Sequence, residues 1–336
     1  MRKFNYLSFI FILWVSLFVL LVSGCQTATT IPPPVQKDEH PLINKIWSIS
    51  TQRFVSVEYV QQQIQDKNII LLGETHDNIR HHQLQAQFVS YLAKNKPAIA
   101  YEMLNQNQQA VIDQFQLKEY KHKQNSDKLT DLFASTIQWE KSGWPEWSFY
   151  RPIFYHTIDA QLAIIATNMP LKQVRNVIKK GRSSLDQNYQ DLLTQYQYDA
   201  ALQSELEQEV QSAHCDMLPK TMLSPMLLGQ QVRDLSMTQA IQKAASKQVI
   251  VIAGSGHTRT DYGIPFYLTQ ENPTLSIASI AFVEVSDDEF KPSDYISAWS
   301  QTAKQLPFDY VWFTPRAERE DPCEKMKAYM KKKNKP

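Results

Sequence analysis

The chain has 336 residues, and its 35 Lys and Arg nearly balance its 34 Asp and Glu, which gives a formal net charge of +1. This balance argues against a dedicated nucleic-acid-binding protein, which normally carries a strong basic excess or a basic stripe. A hydrophobic fraction of 43% and a mean hydropathy of −0.40 argue against a multi-span membrane protein and against wholesale disorder. Only 8 glycines occur, and neither GxGxxG nor GxxxxGKS/T is present, so dinucleotide-binding and P-loop folds have no support.

The N-terminal segment has the anatomy of a bacterial secretion signal. Arg2 and Lys3 precede an uncharged apolar run over Leu7–Val22, which is shorter than the roughly 20 residues that cross a bilayer comfortably. The run ends in Leu21-Val22-Ser23-Gly24-Cys25, which resembles a lipobox, the motif whose cysteine becomes the lipidated first residue of the mature chain. We predict a signal peptide over residues 1–24 and a lipid on Cys25, the alternative being an uncleaved anchor helix. Gln26, rather than Asp, implies the outer membrane of a Gram-negative cell.

Three regions are expected after the signal. Residues 25–41 are polar and proline-rich, which predicts a flexible tether that carries the lipid. Residues 42–320 are predicted to form the globular domain, and residues 321–336 a basic, solvated tail. Cys215 and Cys323 can pair in an oxidising compartment, but 108 positions separate them and the sequence does not show whether they are close.

Apolar runs and helical segments alternate along the globular part. Because most of the runs are continuous, they predict strands buried on both faces, in an α/β fold with a largely parallel sheet flanked by helices. The predicted strands are Asn68–Gly73, Pro97–Met103, Leu162–Asn168, Gln248–Gly254, Leu275–Val283 and Asp309–Thr314. Arg80–Ala93 and Pro225–Ala245 are predicted helices. Residues 181–224 predict a helical insertion of two long helices, either a lid with dimer contacts or a plain insertion.

The first and fourth predicted strands end in the same pattern, Gly-x-x-His. Gly73 leads to His76, and Gly254 leads to His257. Because ligands of open α/β sheets bind at the carboxyl ends of strands, two such motifs predict a site there. Histidine supplies a base near neutral pH or a metal ligand, and glycine permits close backbone approach.

Acidic and further polar residues are expected beside these histidines. Glu74 lies inside the first motif, and Glu102 ends the second strand, where a buried carboxylate needs a partner or a metal ion. His82, His214 and Asp234 have sequence positions from which they can also reach the strand ends. The divalent-metal alternative uses the set Glu74, Glu102, His76 and His257.

Aromatic residues are concentrated between the second and third predicted strands. They are Trp139, Trp144, Trp147, Phe149, Tyr150, Phe154 and Tyr155. Core packing is the default interpretation of such a cluster. The alternative is a surface for a flat apolar ligand, and tyrosinate is a known haem-iron ligand.

Several segments recur in the order of one known family. They are Ile69–Asn78 followed by His82, Ala100–Met103 followed by Gln109 and Asp113, Trp147–Pro152, Asn168–Pro170, His214, Gln231–Asp234, Gly254–Arg259 and Tyr262–Pro265. Together they resemble the ChaN haem-binding lipoproteins, which belong to a superfamily with the Tiki proteases and the erythromycin esterases. The resemblance extends over roughly residues 45–315.

The resemblance implies a surface lipoprotein that binds haem and takes part in iron acquisition, together with a haem or iron transport system. It implies haem held between two protomers, with a tyrosine as iron ligand and a histidine in support. The residues expected at the haem are His76, His82, Tyr150, His214, His257 and Tyr262, with Tyr101 as a further candidate tyrosine.

Two other functional classes remain open from the sequence. A hydrolase would use His76, His257, Glu74 and Glu102 as metal ligands or as a general base. This class stays open because the superfamily that the chain resembles contains enzymes. A structural or adhesion lipoprotein would leave these four residues unexplained.

Overall fold

An eight-stranded sheet forms the centre of the part of the chain that is described, residues 40–121, 125–300 and 302–333 of a computed structural model. Its strands are β1 (Ile46–Ser48), β2 (Arg53–Val55), β3 (Ile69–Glu74), β4 (Ala98–Asn105), β5 (Ile164–Asn168), β6 (Val249–Gly254), β7 (Ile277–Glu284) and β8 (Tyr310–Thr314). Their order across the sheet is β2-β1-β8-β7-β3-β6-β4-β5. Strand β1 is antiparallel to both of its neighbours, and the remaining pairs are parallel.

The predicted α/β fold class is confirmed. All six predicted strands form, as β3 to β8, and each end lies within two residues of the predicted end. Strands β1 and β2 were not predicted, because segments of three residues contain no apolar run to detect.

Helices cover both faces of the sheet. They are α1 (Val57–Ile64), α2 (Ile79–Leu92), α3 (Gln109–Glu119), α4 (Ser126–Thr136), α5 (Trp147–Asp159), α6 (Leu171–Lys180), α7 (Gln187–Gln195), α8 (Ala200–Ala213), α9 (Leu223–Lys243), α10 (Ser255–Thr258), α11 (Gly263–Glu271), α12 (Ile296–Trp299) and α13 (Pro322–Lys333). Short 3-10 turns occupy Ala93–Asn95, Gln106–Gln108, Trp139–Lys141, Arg182–Ser184, Lys220–Met222 and Pro292–Tyr295. In the described residues, no helix has the length and apolar character needed to cross a membrane.

Alternate residues of β3 point into two separate apolar layers. Ile70 and Leu72 pack in the layer that holds α2 and α5, whereas Leu71 packs in the layer that holds α9 and α11. Every residue of β3 is buried, which explains why its apolar residues are consecutive over Ile69–Leu72 rather than at alternate positions.

The helical insertion forms, but it is not a pair of long helices. Helix α7 has 9 residues and α8 has 14, and Asp199 separates them by accepting a hydrogen bond from the backbone of Leu202. The insertion contributes Leu193 and Leu206 to an apolar cluster that also contains Leu227 of α9. It is therefore packed onto the body of the domain.

The C-terminal segment is helical and covalently attached. Cys215, just after α8, forms a disulfide with Cys323 of α13, and their Cα atoms are 5.5 Å apart. The two cysteines that the sequence left open are thus paired, and residues expected as a solvated tail form α13. The predicted signal over residues 1–24, Cys25 and most of the tether over 25–41 lie outside the described residues.

Candidate functional site

The two Gly-x-x-His motifs are adjacent in the sheet. Strands β3 and β6 are parallel neighbours, with Glu74 opposite Gly254. A Cβ at Gly254 would lie 2.9 Å from Cε1 of His76, so only glycine lets the imidazole rest against this strand. Glycine is therefore required at position 254, because the His76 ring packs closely against the backbone there.

The first group of polar side chains surrounds Glu74. Its buried carboxylate accepts hydrogen bonds from His76 Nδ1 at 2.8 Å and from the Tyr150 hydroxyl at 2.9 Å. Its second oxygen lies 2.5 Å from His82 Nδ1, and His82 Nε2 lies 3.0 Å from the backbone oxygen of His76. Burial alone would raise the pKa of Glu74, but His82 and His76 outweigh it and hold the pKa at about 2. Glu74 is therefore an anion that orients His76.

The second group surrounds Glu102, in the C-terminal half of β4. Its carboxylate accepts from the backbone N–H of Gly254 at 2.7 Å and from the Arg233 guanidinium, and it lies 3.3 Å from His257 Nε2. Asp234 completes the chain, with Oδ1 at 2.5 Å from His257 Nδ1. Although burial lowers the pKa of His257, Glu102 and Asp234 raise it to about 9, so the imidazole keeps its proton at neutral pH.

His76 connects the two groups. Its Nε2 lies 3.9 Å from Glu102 Oε1, and its side chain is 38% exposed whereas the side chains of Glu74 and Glu102 are fully buried. Burial lowers the pKa of His76, but Glu102 and Glu74 outweigh it and raise the pKa above its ordinary value. The ring also makes an edge-to-face contact with Trp144, with centroids 4.9 Å apart. His76 is thus the accessible member of the network.

A groove of about 1,010 Å³ opens beside this network, at the carboxyl ends of β4 and β5. Glu102 and Arg233 form part of its lining, together with Trp144. Apolar side chains such as Met103 and Met169 line it as well. Lys141 and Arg175 add two cations.

The predicted site residues divide among three places. His76 and Glu102 lie at or beside the groove, and His257 lies directly behind Glu102. Glu74, His82 and Tyr150 are buried beneath His76. His214 and Tyr262 line a separate cavity between α8 and α9.

The four residues of the metal alternative do cluster, but as paired ions. Within the described ranges, no group of three or more His, Cys, Asp or Glu is arranged to hold a metal ion. The divalent-metal interpretation therefore has no support from the arrangement of these side chains.

Arg233 is the main functional residue that sequence reasoning missed. It appeared only inside a family motif, without a role, yet its guanidinium pairs with Glu102 and borders the groove. The available signal was an adjacent Arg233-Asp234 pair inside the predicted helix over Pro225–Ala245. Lys141 and Arg175 gave no signal, because exposed cations are common on any surface.

Comparison with known proteins identifies the family. A family model described as "Haem-binding uptake, Tiki superfamily, ChaN" matches residues 60–268, which is more than half of the chain. The chain belongs to the ChaN family. No curated protein matches the sequence.

The ChaN fold is also found among solved structures. The structure titled "Cofacial heme binding to ChaN of Campylobacter jejuni" has a TM-score of 0.63 and 20% identity, and the match covers 83% of this chain and 98% of that one. The type III effector HopBA1 has a TM-score of 0.38 and 12% identity, over 76% of this chain and 91% of its own. A Bacillus cereus protein has a TM-score of 0.38 and 12% identity, over 78% of this chain and 93% of its own. The first of these matches confirms the fold.

Proposed function

We propose that this ChaN-family protein binds haem in the groove beside His76 and serves haem or iron uptake. The family assignment supports the ligand, because the matched model describes haem-binding uptake proteins. The observation that carries the placement is the groove itself, because it combines the volume, the apolar walls and the cations that haem requires.

The groove fits the chemistry of haem. Haem is a flat apolar macrocycle with two propionates, so it needs apolar walls and cations at one side. Trp144, Met103 and Met169 supply apolar surface, and Lys141 and Arg175 supply positive charge. The volume of about 1,010 Å³ stands at the upper end of the roughly 300–1,000 Å³ of small-molecule pockets. Arg233 is already paired with Glu102, which leaves the other two cations for the propionates.

His76 is the histidine that we place nearest the haem. Its Nδ1 is engaged by Glu74, so Nε2 is the nitrogen left to face a ligand beside Trp144. When bound, haem supplies an iron atom that takes an axial ligand from nitrogen or oxygen donors.

The tyrosine ligand implied by the family resemblance stays a proposal. The hydroxyls of the three candidates are all engaged inside the protein: Tyr101 with Thr157, Tyr150 with Glu74, and Tyr262 with Glu209. All three side chains are buried. A tyrosine ligand from this set would require its hydroxyl to leave its present partner.

Titration of the mature protein with haemin tests the proposal. We expect a Soret shift, and we expect charge reversal in Arg175→Glu to weaken haemin binding about fivefold to tenfold, since it repels a propionate. Lys179→Glu is the matched control, because Lys179 is exposed on the same helix and does not line the groove. Absence of a Soret shift, or equal weakening in both variants, would refute the haem groove.

We extend the proposal to the cellular arrangement. A lipid on Cys25 would anchor the protein in the outer membrane, a homodimer would enclose haem between two grooves, and a transport system would accept it. Support comes from the lipobox in the sequence and from the resemblance to the ChaN haem-binding lipoproteins. Radiolabelled palmitate incorporation that persists in Cys25→Ser would overturn the lipid anchor.

A further inference from the structure

A second cavity of about 250 Å³ lies between α8 and α9, apart from the groove. Apolar side chains form much of its wall, among them Leu206, Val210 and Leu227. An engineered cavity of about 150 Å³ in another protein binds benzene, so this one has room for a phenyl ring with a short chain. It is below the roughly 300–1,000 Å³ of pockets for larger ligands, so haem does not fit it.

Asp234, which belongs to the lining of this cavity, has an unsatisfied acceptor. Asp234 is fully buried, and its Oδ1 is engaged by His257 Nδ1 at 2.5 Å. Its Oδ2 is also buried and has no hydrogen-bond partner among the described residues. A buried acceptor without a donor is destabilising, so a donor at this position would be stabilising.

The other carboxylate of the cavity is already satisfied. Glu209 Oε2 accepts from the Tyr262 hydroxyl at 2.7 Å and from the Arg259 guanidinium at 3.1 Å. His257 balances the charge of Asp234 in the same way that Arg259 balances Glu209. Asp234 Oδ2 therefore lacks a hydrogen-bond donor rather than a counter-charge.

We infer that this cavity binds a small molecule with an apolar body and one N–H or O–H donor, which bonds to Asp234 Oδ2. Both an amine and an alcohol or phenol have this chemistry. The inference does not depend on haem binding, because the cavity and the groove have different linings. The chain Asp234–His257–Glu102 nevertheless joins the two, so an occupant would act on the charged residues behind the groove.

Three probes with one common body test the inference. They are 2-phenylethylamine, 2-phenylethanol and ethylbenzene, and their binding is measured by calorimetry on the full mature chain. We expect the amine, the alcohol or both to bind about tenfold more tightly than ethylbenzene, and the stronger of the two identifies the donor class. In Asp234→Asn we expect the preference for the donor-bearing probes to be lost. The amide oxygen would keep its hydrogen bond with His257, and the amide N–H would face the cavity in place of an acceptor.

A second variant keeps the test valid if Asp234→Asn fails to fold. Ala213 is exposed and lines the cavity, so Ala213→Phe is expected to block every probe and to leave haemin binding unchanged. Ala201→Phe, on the same helix but away from the cavity, is the matched control and should bind the probes like the wild type. Equal affinity for all three probes, or no binding of any, would overturn the inference and leave an apolar or water-filled cavity.

Discussion

Single residues decide how closely the charged groups approach one another. At Gly254 a Cβ would lie 2.9 Å from His76, whereas at Gly256 a Cβ would meet no atom within 4 Å. Both glycines belong to the Gly-Ser-Gly-His segment at the end of the fourth predicted strand. Only the surroundings of each Cα separate the required glycine from the dispensable one, and the deciding neighbour of Gly254 is His76, from a distant part of the chain.

Alanine substitution of the two glycines is therefore expected to have opposite effects on stability. We expect Gly254→Ala to lower the free energy of unfolding by about 1–3 kcal/mol, because the methyl group displaces His76 in a closely packed site. We expect Gly256→Ala to be neutral or stabilising by up to about 1 kcal/mol, since alanine restricts the unfolded chain. Urea unfolding of both variants measures the difference, and equal destabilisation would contradict the close approach.

The pKa of His257 predicts how stability depends on pH. Because folding raises this pKa from 6.5 to about 9, the imidazolium stabilises the native state fully below pH 6.5. That contribution, at most about 3 kcal/mol, is lost as the pH rises towards 9. Glu74 acts oppositely, since its pKa of about 2 stabilises the native state above pH 4.5 and this is lost on acidification.

Urea unfolding between pH 6 and 9.5 measures the slope of the free energy of unfolding against pH. We expect His257→Gln to flatten most of it and to leave a smaller slope of the same sign from His76, whose pKa is also raised. A wild-type stability that stays constant over this range would show that the imidazole is not held in its charged form.

Among site residues, the sequence predicted those at strand ends, but it assigned no role to Arg233 on a helix. His76, His257, Glu74 and Glu102 could be found because parallel strands end at one edge of a sheet. The role of Arg233 depends on how α9 is rotated about its axis. The spacing of residues along the sequence does not determine that rotation.

At the scale of elements, α13 is held by a covalent bond. The Cys215–Cys323 disulfide closes a loop with a sequence separation of 108, and ion pairs from Arg319 to Asp77 and Glu284 hold the segment before it. The bond attaches this segment to the end of α8, beside the second cavity.

Removal of the disulfide is expected to be costly. Loop-closure entropy for about 100 residues predicts a loss of roughly 2–5 kcal/mol for Cys323→Ser in oxidising conditions. Thermal unfolding with and without reductant measures the loss. The matched control is wild type in reductant, which should fall to the stability of the variant, and an unchanged Tm in the variant would contradict the role of this bond.

Strand prediction worked where burial was strongest. Strands β3 to β8 have buried interiors and read as continuous apolar runs, whereas the exposed Arg53 and Phe54 make β2 look like a loop. The length of the helices in the insertion was overestimated, because Asp199 acts as an N-cap and divides the segment.

At the scale of the whole molecule, the groove is assembled from distant parts of the chain. Trp144 precedes α5, Arg175 lies on α6 and Arg233 on α9, and the two glutamate–histidine groups form its buried support. No local pattern predicts such a surface, and two of the residues that the family resemblance placed at the haem, His214 and Tyr262, line the second cavity instead. The fold supplies the location by bringing these segments to the carboxyl ends of β4 and β5.

The most direct test of haem binding in this groove is a crystal structure of the mature protein purified with haem. We predict that the iron lies in the groove, within reach of His76 and Trp144, and that the propionates extend towards Lys141 and Arg175. Haem found at any other surface of the chain, with the groove filled only by solvent, would contradict the proposal.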